Sequence, residues 1–288
     1  MYGQVDWKLK LVRVAFQLGR LAPARAGRWA HGLFVTPRGS RGRSKSSLFD
    51  GAHEVTLPGL PLPMKLYGFG SGPVALLVHG WESRSEKFSA VIEPLLARGY
   101  RVVAVDSHAH GAAPGTQLAF GVACRAMTSL LEALTPDVVI AHSYGAATVV
   151  FGLAHRQKAF PVRVVSLAAI VEAKHISETY LRMTHAPSAL RPHFYAELEQ
   201  RWGEPVEYYS MSSFARQLDC EALLVHDVWD PIIPYAQGQA LHSAWRGSRL
   251  LTTKELGHHR LLKDEAVLSE VIAFATGEGT ASARETAS

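Results

Sequence analysis

Short apolar runs of strand length punctuate the chain from residue 74 onward, and between them the apolar positions fall at helical spacing. The runs at 74–78, 100–105, 138–141 and 162–170 are rich in Val, Ile and Leu, whereas 86–98, 118–134 and the positions from Ala146 onward space their apolar residues three and four apart. Alternation of this kind predicts parallel strands joined by right-handed helical crossovers, hence an α/β architecture with helices on both faces of a mostly parallel sheet. After residue 170 the pattern breaks. Positions 171–214 have helical rather than strand spacing and concentrate aromatics and histidines, among them Tyr180, Phe194, Tyr195, Trp202 and Tyr209, which predicts a small helical cap inserted after the sixth strand. Alternation resumes with a strand at 222–226, a helix at 235–245 and a strand at 249–253, and a last helix capped by Asp264 runs to Phe274.

The region before residue 74 reads differently. Residues 5 to about 22 predict a helix with Val5, Leu9, Val12 and Phe16 on one face and Lys10, Arg13, Gln17 and Arg20 on another. Pro23 and the Arg-Gly-Ser cluster from Arg38 to Ser47 then read as a turn and an exposed linker. Two extended runs between His53 and Tyr67 flank Pro-Gly-Leu-Pro and predict an antiparallel hairpin at one sheet edge. Gly68, Gly70 and Gly72 precede a strand instead of joining a strand to a helix, so they read as a turn, not as a dinucleotide-binding loop, and no cofactor is implied. The expected organisation is an N-terminal basic amphipathic helix and linker at 1–47, a core at 48–170 and 215–275, a cap at 171–214, and a small, polar, disordered tail at 276–288.

Composition sharpens this picture at three points. A chain of 288 residues, 48% of them hydrophobic, is long enough to bury a full core as one domain. The net charge of +5 is local: residues 1–45 hold ten Lys or Arg against the single Asp6, so the remainder is mildly acidic and offers no nucleic-acid-binding core. The N-terminal helix is therefore the place to look for a partner, either its own body, a second subunit or a membrane surface. Cys124 and Cys220 are the two cysteines, too few for a disulfide framework, and no apolar run reaches the roughly 18 to 20 residues of a spanning helix. The expectation is a soluble cytoplasmic protein with structural thiols.

Candidate chemistry sits at strand ends. His142-Ser143-Tyr144-Gly145 must turn the chain between the run at 138–141 and the helix that follows, with small residues, Ala141 and Gly145, two positions either side of Ser143. A serine hydroxyl is a poor nucleophile at neutral pH unless an imidazole takes its proton and a carboxylate orients that imidazole. Two further strand-end loops supply such groups: Asp227 and Asp230 in one, His258 and His259 in the other. His108 and His110 follow another strand but lack partners for a metal cage, so no metal is predicted, and His110 reads as a loop-shaping residue. His142 reads as packing.

The order Ser, Asp, His, the serine turn, His79-Gly80-Trp81, the segment Asp106 to Gly111 and Gly257-His258-His259-Arg260 together resemble the α/β-hydrolase fold family, and within it bacterial carboxylesterase-type serine hydrolases, over about three quarters of the chain. That resemblance implies Ser143 as nucleophile, His258 as general base and Asp230, the acid just before the proline of its loop, as orienting acid. It also implies an oxyanion hole from the backbone N–H groups of Trp81 and Tyr144. The implied activity is hydrolysis of a carboxylic ester with a small or medium acyl chain through an acyl-enzyme. The same triad also serves lactones, thioesters and acyl transfer, and a non-catalytic ligand receptor on this fold is the reading from another class. Among the cap aromatics Tyr195, Trp202 and Phe214, with Met183 or Met211, are expected to wall the acyl pocket.

Overall fold

The computed structural model describes residues 7–39, 42 and 44–278. Two helices, α1 (Trp7–Leu18) and α2 (Pro23–Phe34), precede the sheet. Then come β1 (His53–Glu54), β2 (Lys65–Phe69), β3 (Val74–Val78), α3 (Ser89–Leu96), β4 (Arg101–Asp106), α4 (Phe120–Leu134), β5 (Val138–His142), α5 (Tyr144–His155) and β6 (Arg163–Leu167). The inserted helices α6 (Ala173–Met183), α7 (Arg191–Trp202) and α8 (Met211–Ala215) follow. The chain then returns through β7 (Ala222–Asp227), α9 (Tyr235–Ala244), β8 (Ser248–Thr253), α10 (Gly257–Arg260) and α11 (Glu265–Thr276).

The strands form one sheet in the order β1-β2-β4-β3-β5-β6-β7-β8. From β4 to β8 every pairing is parallel, and only β2 runs antiparallel to its neighbours β1 and β4. Period-two alternation divides the strand residues between two cores. Leu76, Val78, Val103, Val105, Val139 and Ala141 pack on the α4–α5 side, and Ala75, Leu77, Val102, Ala104, Val138 and Ile140 on the α3–α11 side. Burial on both faces explains why these strands read as continuous apolar runs. The carboxyl ends of β3, β4, β5, β7 and β8 open at one end of the sheet, beneath α6 and the end of α7.

The N-terminal region departs from expectation. Pro23, expected as a turn, instead opens α2, because it occupies the first helical turn, where its missing N–H costs nothing. Ala26, Gly27, Ala30 and His31 of α2 are buried, and α2 lies so close to α7 that a Cβ on Gly27 would stand 2.5 Å from that of His193. Val12 and Phe16 of α1 are buried as well, and the Phe16 ring meets Trp29 of α2 edge-on at 5.3 Å. The expected tail begins later than residue 276, since Thr276 closes α11, Gly277 caps it and Glu278 pairs with Arg98; Val5 and the residues beyond 278 lie outside the described residues.

The expected linker is instead a strap over the site loops. Leu118 N–H donates to Val35 O, Arg38 N–H to Glu82 Oε1, Gly42 N–H to Gly111 O and Lys45 N–H to Glu86 Oε1, at 2.8 to 3.0 Å. Tyr180 Oη–H, from α6, donates to Ala30 O of α2 at 2.9 Å, so the α1–α2 helical hairpin and the inserted helices are joined as well.

Candidate active site

Ser143 stands between β5 and α5 with φ 53° and ψ −117°, a region that non-glycine residues rarely occupy. Its N–H donates to Leu167 O at 2.8 Å, and its carbonyl accepts Ala147 N–H in the first turn of α5, so the strain is held from both sides. Gly145 is the reason this turn closes. A Cβ there would sit 2.8 Å from the Val78 carbonyl oxygen and closer still to that of His79, at the end of β3.

The turn aims the Ser143 hydroxyl at His258, whose Nε2 lies 2.9 Å from Ser143 Oγ. On the other side of the ring, His258 Nδ1 lies 2.7 Å from Asp230 Oδ2. An ionised carboxylate only accepts, so Nδ1 carries the proton and Nε2 is left to accept from the serine. Burial acts to raise the Asp230 pKa, but the His258 ring and the N–H groups of Ile233 and Ile232 outweigh it and hold the carboxyl below its ordinary value. Those amides bond to Asp230 Oδ1 at 2.9 and 2.8 Å. Asp227 is occupied elsewhere: Trp229 N–H donates to its Oδ1, and Thr253 Oγ1–H and Leu256 N–H to its Oδ2, which ties together the two loops that carry the acid and the histidine.

Two histidines brace these groups. His142 Nε2–H donates to the His258 carbonyl at 2.9 Å, and burial, followed by the neighbouring His258, pulls its pKa down to about 3, so the ring is neutral at ordinary pH. His226 Nε2–H donates to Ile233 O at 3.0 Å and lies 3.7 Å from Asp230 Oδ2. Its burial lowers its pKa, which keeps a second neutral ring against the acid. His226 was legible only as the last residue of a predicted strand. His259 is exposed and meets His258 edge-on at 5.0 Å.

The loop after β3 brings Trp81 beside Tyr144, the first residue of α5, with their rings 5.2 Å apart. The first intrahelical bond of α5 is Ala147 N–H to Ser143 O, so the amide of Tyr144 lies ahead of the helical ladder. The Trp81 loop is held by Asp106, whose carboxylate accepts Ser85 N–H at 2.7 Å and Ala112 N–H at 2.8 Å. His79 Nε2 accepts Ser107 N–H at 3.0 Å, leaving Nδ1–H to donate to Gly80 O. Fully buried His110 packs against both His79 and Trp81, at 5.2 and 4.9 Å.

Ser143 and His258 line a cavity of about 660 Å³. Phe120, Ile170, Ile176, Tyr180, Met183 and Trp202 contribute apolar wall from the core and inserted helices, with Trp81 and Tyr144 near the serine. Of the three aromatics expected to wall this space, Trp202 does so and two do not. Tyr195 sits on another face of α7, where its hydroxyl donates to Glu178 Oε1 at 2.5 Å, and Phe214 is buried against Phe151 and His155 of α5. Met211 is buried in the core and likewise does not line the cavity. In their place the N-terminal segment supplies Leu33, Phe34, Val35, Thr36 and Arg38. The Phe34 ring lies 4.9 Å from Tyr180 and 6.4 Å from Trp202.

Among the described residues, the ring nitrogens of His142, His258 and His259 come within 4.8 Å of one another. Both nitrogens of His258 are already engaged by Asp230 and Ser143, so a metal there would compete with that chain of hydrogen bonds.

The strand order, the strained serine turn and the three side chains in line together point to one superfamily, and residues 75–271 match the model of the alpha/beta hydrolase family. The chain belongs to that family. A search of curated proteins gives no significant match for this hydrolase. Solved structures of similar fold include an esterase from Pyrococcus furiosus, at 20% identity and TM-score 0.58 over 83% of this chain and 96% of that one. An esterase from Exiguobacterium antarcticum matches at 16% identity and TM-score 0.57, over 74% of this chain and 96% of that one. A bromoperoxidase from Bacillus anthracis matches at 14% and 0.58, over 79% and 100%. Among the described residues of this hydrolase, no helix is long and apolar enough to cross a membrane.

Proposed function

We propose that this alpha/beta hydrolase is a serine esterase that cleaves carboxylic esters of small or medium acyl chain through an acyl-enzyme. The reading rests on one observation, the continuous line Ser143 Oγ, His258 Nε2, His258 Nδ1, Asp230 Oδ2, with links of 2.9 and 2.7 Å, opening on a largely apolar cavity. His258 Nε2 takes the Ser143 proton as Oγ bonds to the ester carbonyl carbon, and the carbonyl π electrons move onto oxygen. The N–H groups of Trp81 and Tyr144 receive that oxyanion. Collapse of the tetrahedral adduct breaks the bond to the alkoxy oxygen, which leaves with the proton from His258. Water then enters, gives its proton to His258 Nε2, and releases the acid from Ser143 by the same steps in reverse.

Asp230 has a defined share in this. Its charge, kept by the amides of Ile232 and Ile233, fixes the His258 tautomer and offsets the imidazolium formed at each proton transfer. The test is covalent. A fluorophosphonate should label Ser143 in the wild type and nothing in Ser143→Ala, and p-nitrophenyl esters of graded length should be hydrolysed faster than a matched lactone or thioester. Labelling that persists in Ser143→Ala removes the nucleophile assignment, and a lactone or thioester that outruns every ester removes the substrate class.

A further inference from the structure

Of the seven large hydrophobic side chains that stand exposed among the described residues, three belong to the α1–α2 hairpin: Val14 (59%), Leu21 (91%) and Trp29 (44%). A fourth, Met183, lies on the cavity wall at the end of α6, and its carbonyl accepts Arg13 Nε–H from α1 at 3.0 Å. Exposed apolar side chains thus occur on both helices of the hairpin and at the cavity wall that α1 touches through Arg13. Its companions are all of one sign. Residues 7–39 contain seven Lys or Arg and no Asp or Glu. Arg20, Arg25 and Arg28 are exposed, and Arg25 shares one face of α2 with Arg28 and Trp29 at three-and-four spacing. None of the three forms an ion pair with another described residue.

We propose that this outward face of the hairpin docks the protein on an anionic lipid bilayer, with the cavity rim beside the contact. Three features select that partner. Cations interleaved with Trp and aliphatic side chains suit the headgroup region, where acidic lipids meet the first carbons of the acyl chains. A second copy of the same face is disfavoured, because Arg20, Arg25 and Arg28 would meet their own copies with no Asp or Glu in residues 7–39 to relieve them. A nucleic acid would satisfy the arginines but leave Leu21, at 91% exposure, with no apolar surface to bury against. Docking by this face sets the hairpin, whose far end forms cavity wall at Leu33 and Phe34, between bilayer and pocket.

The experiment is vesicle flotation of the full chain, with phosphatidylcholine alone and with phosphatidylcholine mixed with phosphatidylglycerol, at low and high salt. The expected result is flotation with the anionic vesicles only, weakened by salt, and lowered about tenfold or more in the Arg25→Glu/Arg28→Glu double variant. Leu21→Asp should lower it too, while both variants keep the wild-type melting temperature and the wild-type rate on a water-soluble ester. Equal flotation with neutral vesicles, or none with anionic ones, overturns the proposal. So does unchanged flotation of the double variant, a wild-type dimer that Leu21→Asp dissociates, or tighter binding to an oligonucleotide than to the anionic vesicles. Flotation needs no turnover, so loss of the esterase reading would leave this result standing, and the reverse holds as well.

Discussion

Replacing Gly145 with Ala tests the close approach between β3 and α5 on which the proposed oxyanion hole depends. The backbone of Gly145 suits any residue, since its φ is not positive, so the substitution acts through space alone. The new methyl would lie 2.8 Å from Val78 O and 2.9 Å from Val78 Cγ1, and closer still to His79 O. Ordinary contact needs about 3.4 Å or more, so the start of α5 and the end of β3 must part by roughly 1 Å. Overpacking on that scale costs about 1–3 kcal/mol. In a chain of this size that lowers the melting temperature by roughly 2–5 °C. The catalytic cost is larger, because the amide of Tyr144 rides on α5 and that of Trp81 on the loop after β3. Misplacement of about 1 Å between such groups lowers the rate on the order of 100-fold. The assay is kcat/KM on a p-nitrophenyl ester beside the rate of fluorophosphonate labelling and a thermal melt. A Gly145→Ala protein that folds and keeps kcat/KM within about twofold of wild type would refute the reasoning, since the two amides would then tolerate being moved. Ala141→Gly is the control: it removes a buried methyl two residues before the serine, costs about 1 kcal/mol as a glycine in a strand, and should leave kcat/KM unchanged.

Asp230→Asn should fold normally and lose on the order of 10⁴-fold in kcat, whereas Asp227→Asn should lower stability with kcat little changed, because the Asp227 carboxylate bonds to Trp229, Thr253 and Leu256 and not to His258; the two are compared by stopped assay and urea titration. Phe34→Ala and Trp202→Ala should shift acyl-length preference in kcat/KM by roughly 10-fold or more, while Phe214→Ala, away from the cavity, should cost about 3–5 kcal/mol of stability with the length profile intact. Stability should also fall as pH drops below about 6.5. His142 has a folded pKa of about 3 against an ordinary 6.5, so the unfolded chain takes up its proton first, and the loss runs at roughly 1 kcal/mol per pH unit toward the lower value. Burial places His31 in the same direction, at about 4. Urea unfolding from pH 7 to pH 5 should give a slope that His142→Asn flattens by about that amount; an identical slope in the variant would show that His142 is not the group being titrated.

The sheet was legible because its strands are buried on both faces and so read as uninterrupted apolar runs, each followed by a helical period. The same regularity located the strand-end loops, and with them Ser143, Asp230 and His258, whose mutual distances no local pattern encodes. Choosing Asp230 over Asp227 needed the family resemblance. The structure adds the reason the two differ, since Asp227 spends its oxygens on Thr253, Leu256 and Trp229. The cavity wall was the least legible part. Tyr195 and Phe214 share the aromatic character of Trp202, and only the rotation of α7 and the docking of α8 on α5 decide which ring meets the cavity. Helix α2 was missed because Pro23 suggested a turn, although a proline is equally at home in the first turn of a helix, and the alanines after it favour one.

The strap from Val35 to Lys45 lies wholly outside residues 75–271, the stretch by which the family is recognised, yet it bonds to the loops around Ser143 at four points. Homology boundaries and folding boundaries therefore part company in this chain. A fragment cut to the matched stretch would also lose the edge strands β1 and β2, uncover Phe194 and Trp202, and expose the pairing edge of β4 to solvent and to other chains. For anyone producing, tagging or transplanting the hydrolase body, Leu33 to Thr36 and Arg38 are part of the cavity wall, so the stretch from α2 through the strap has to travel with it.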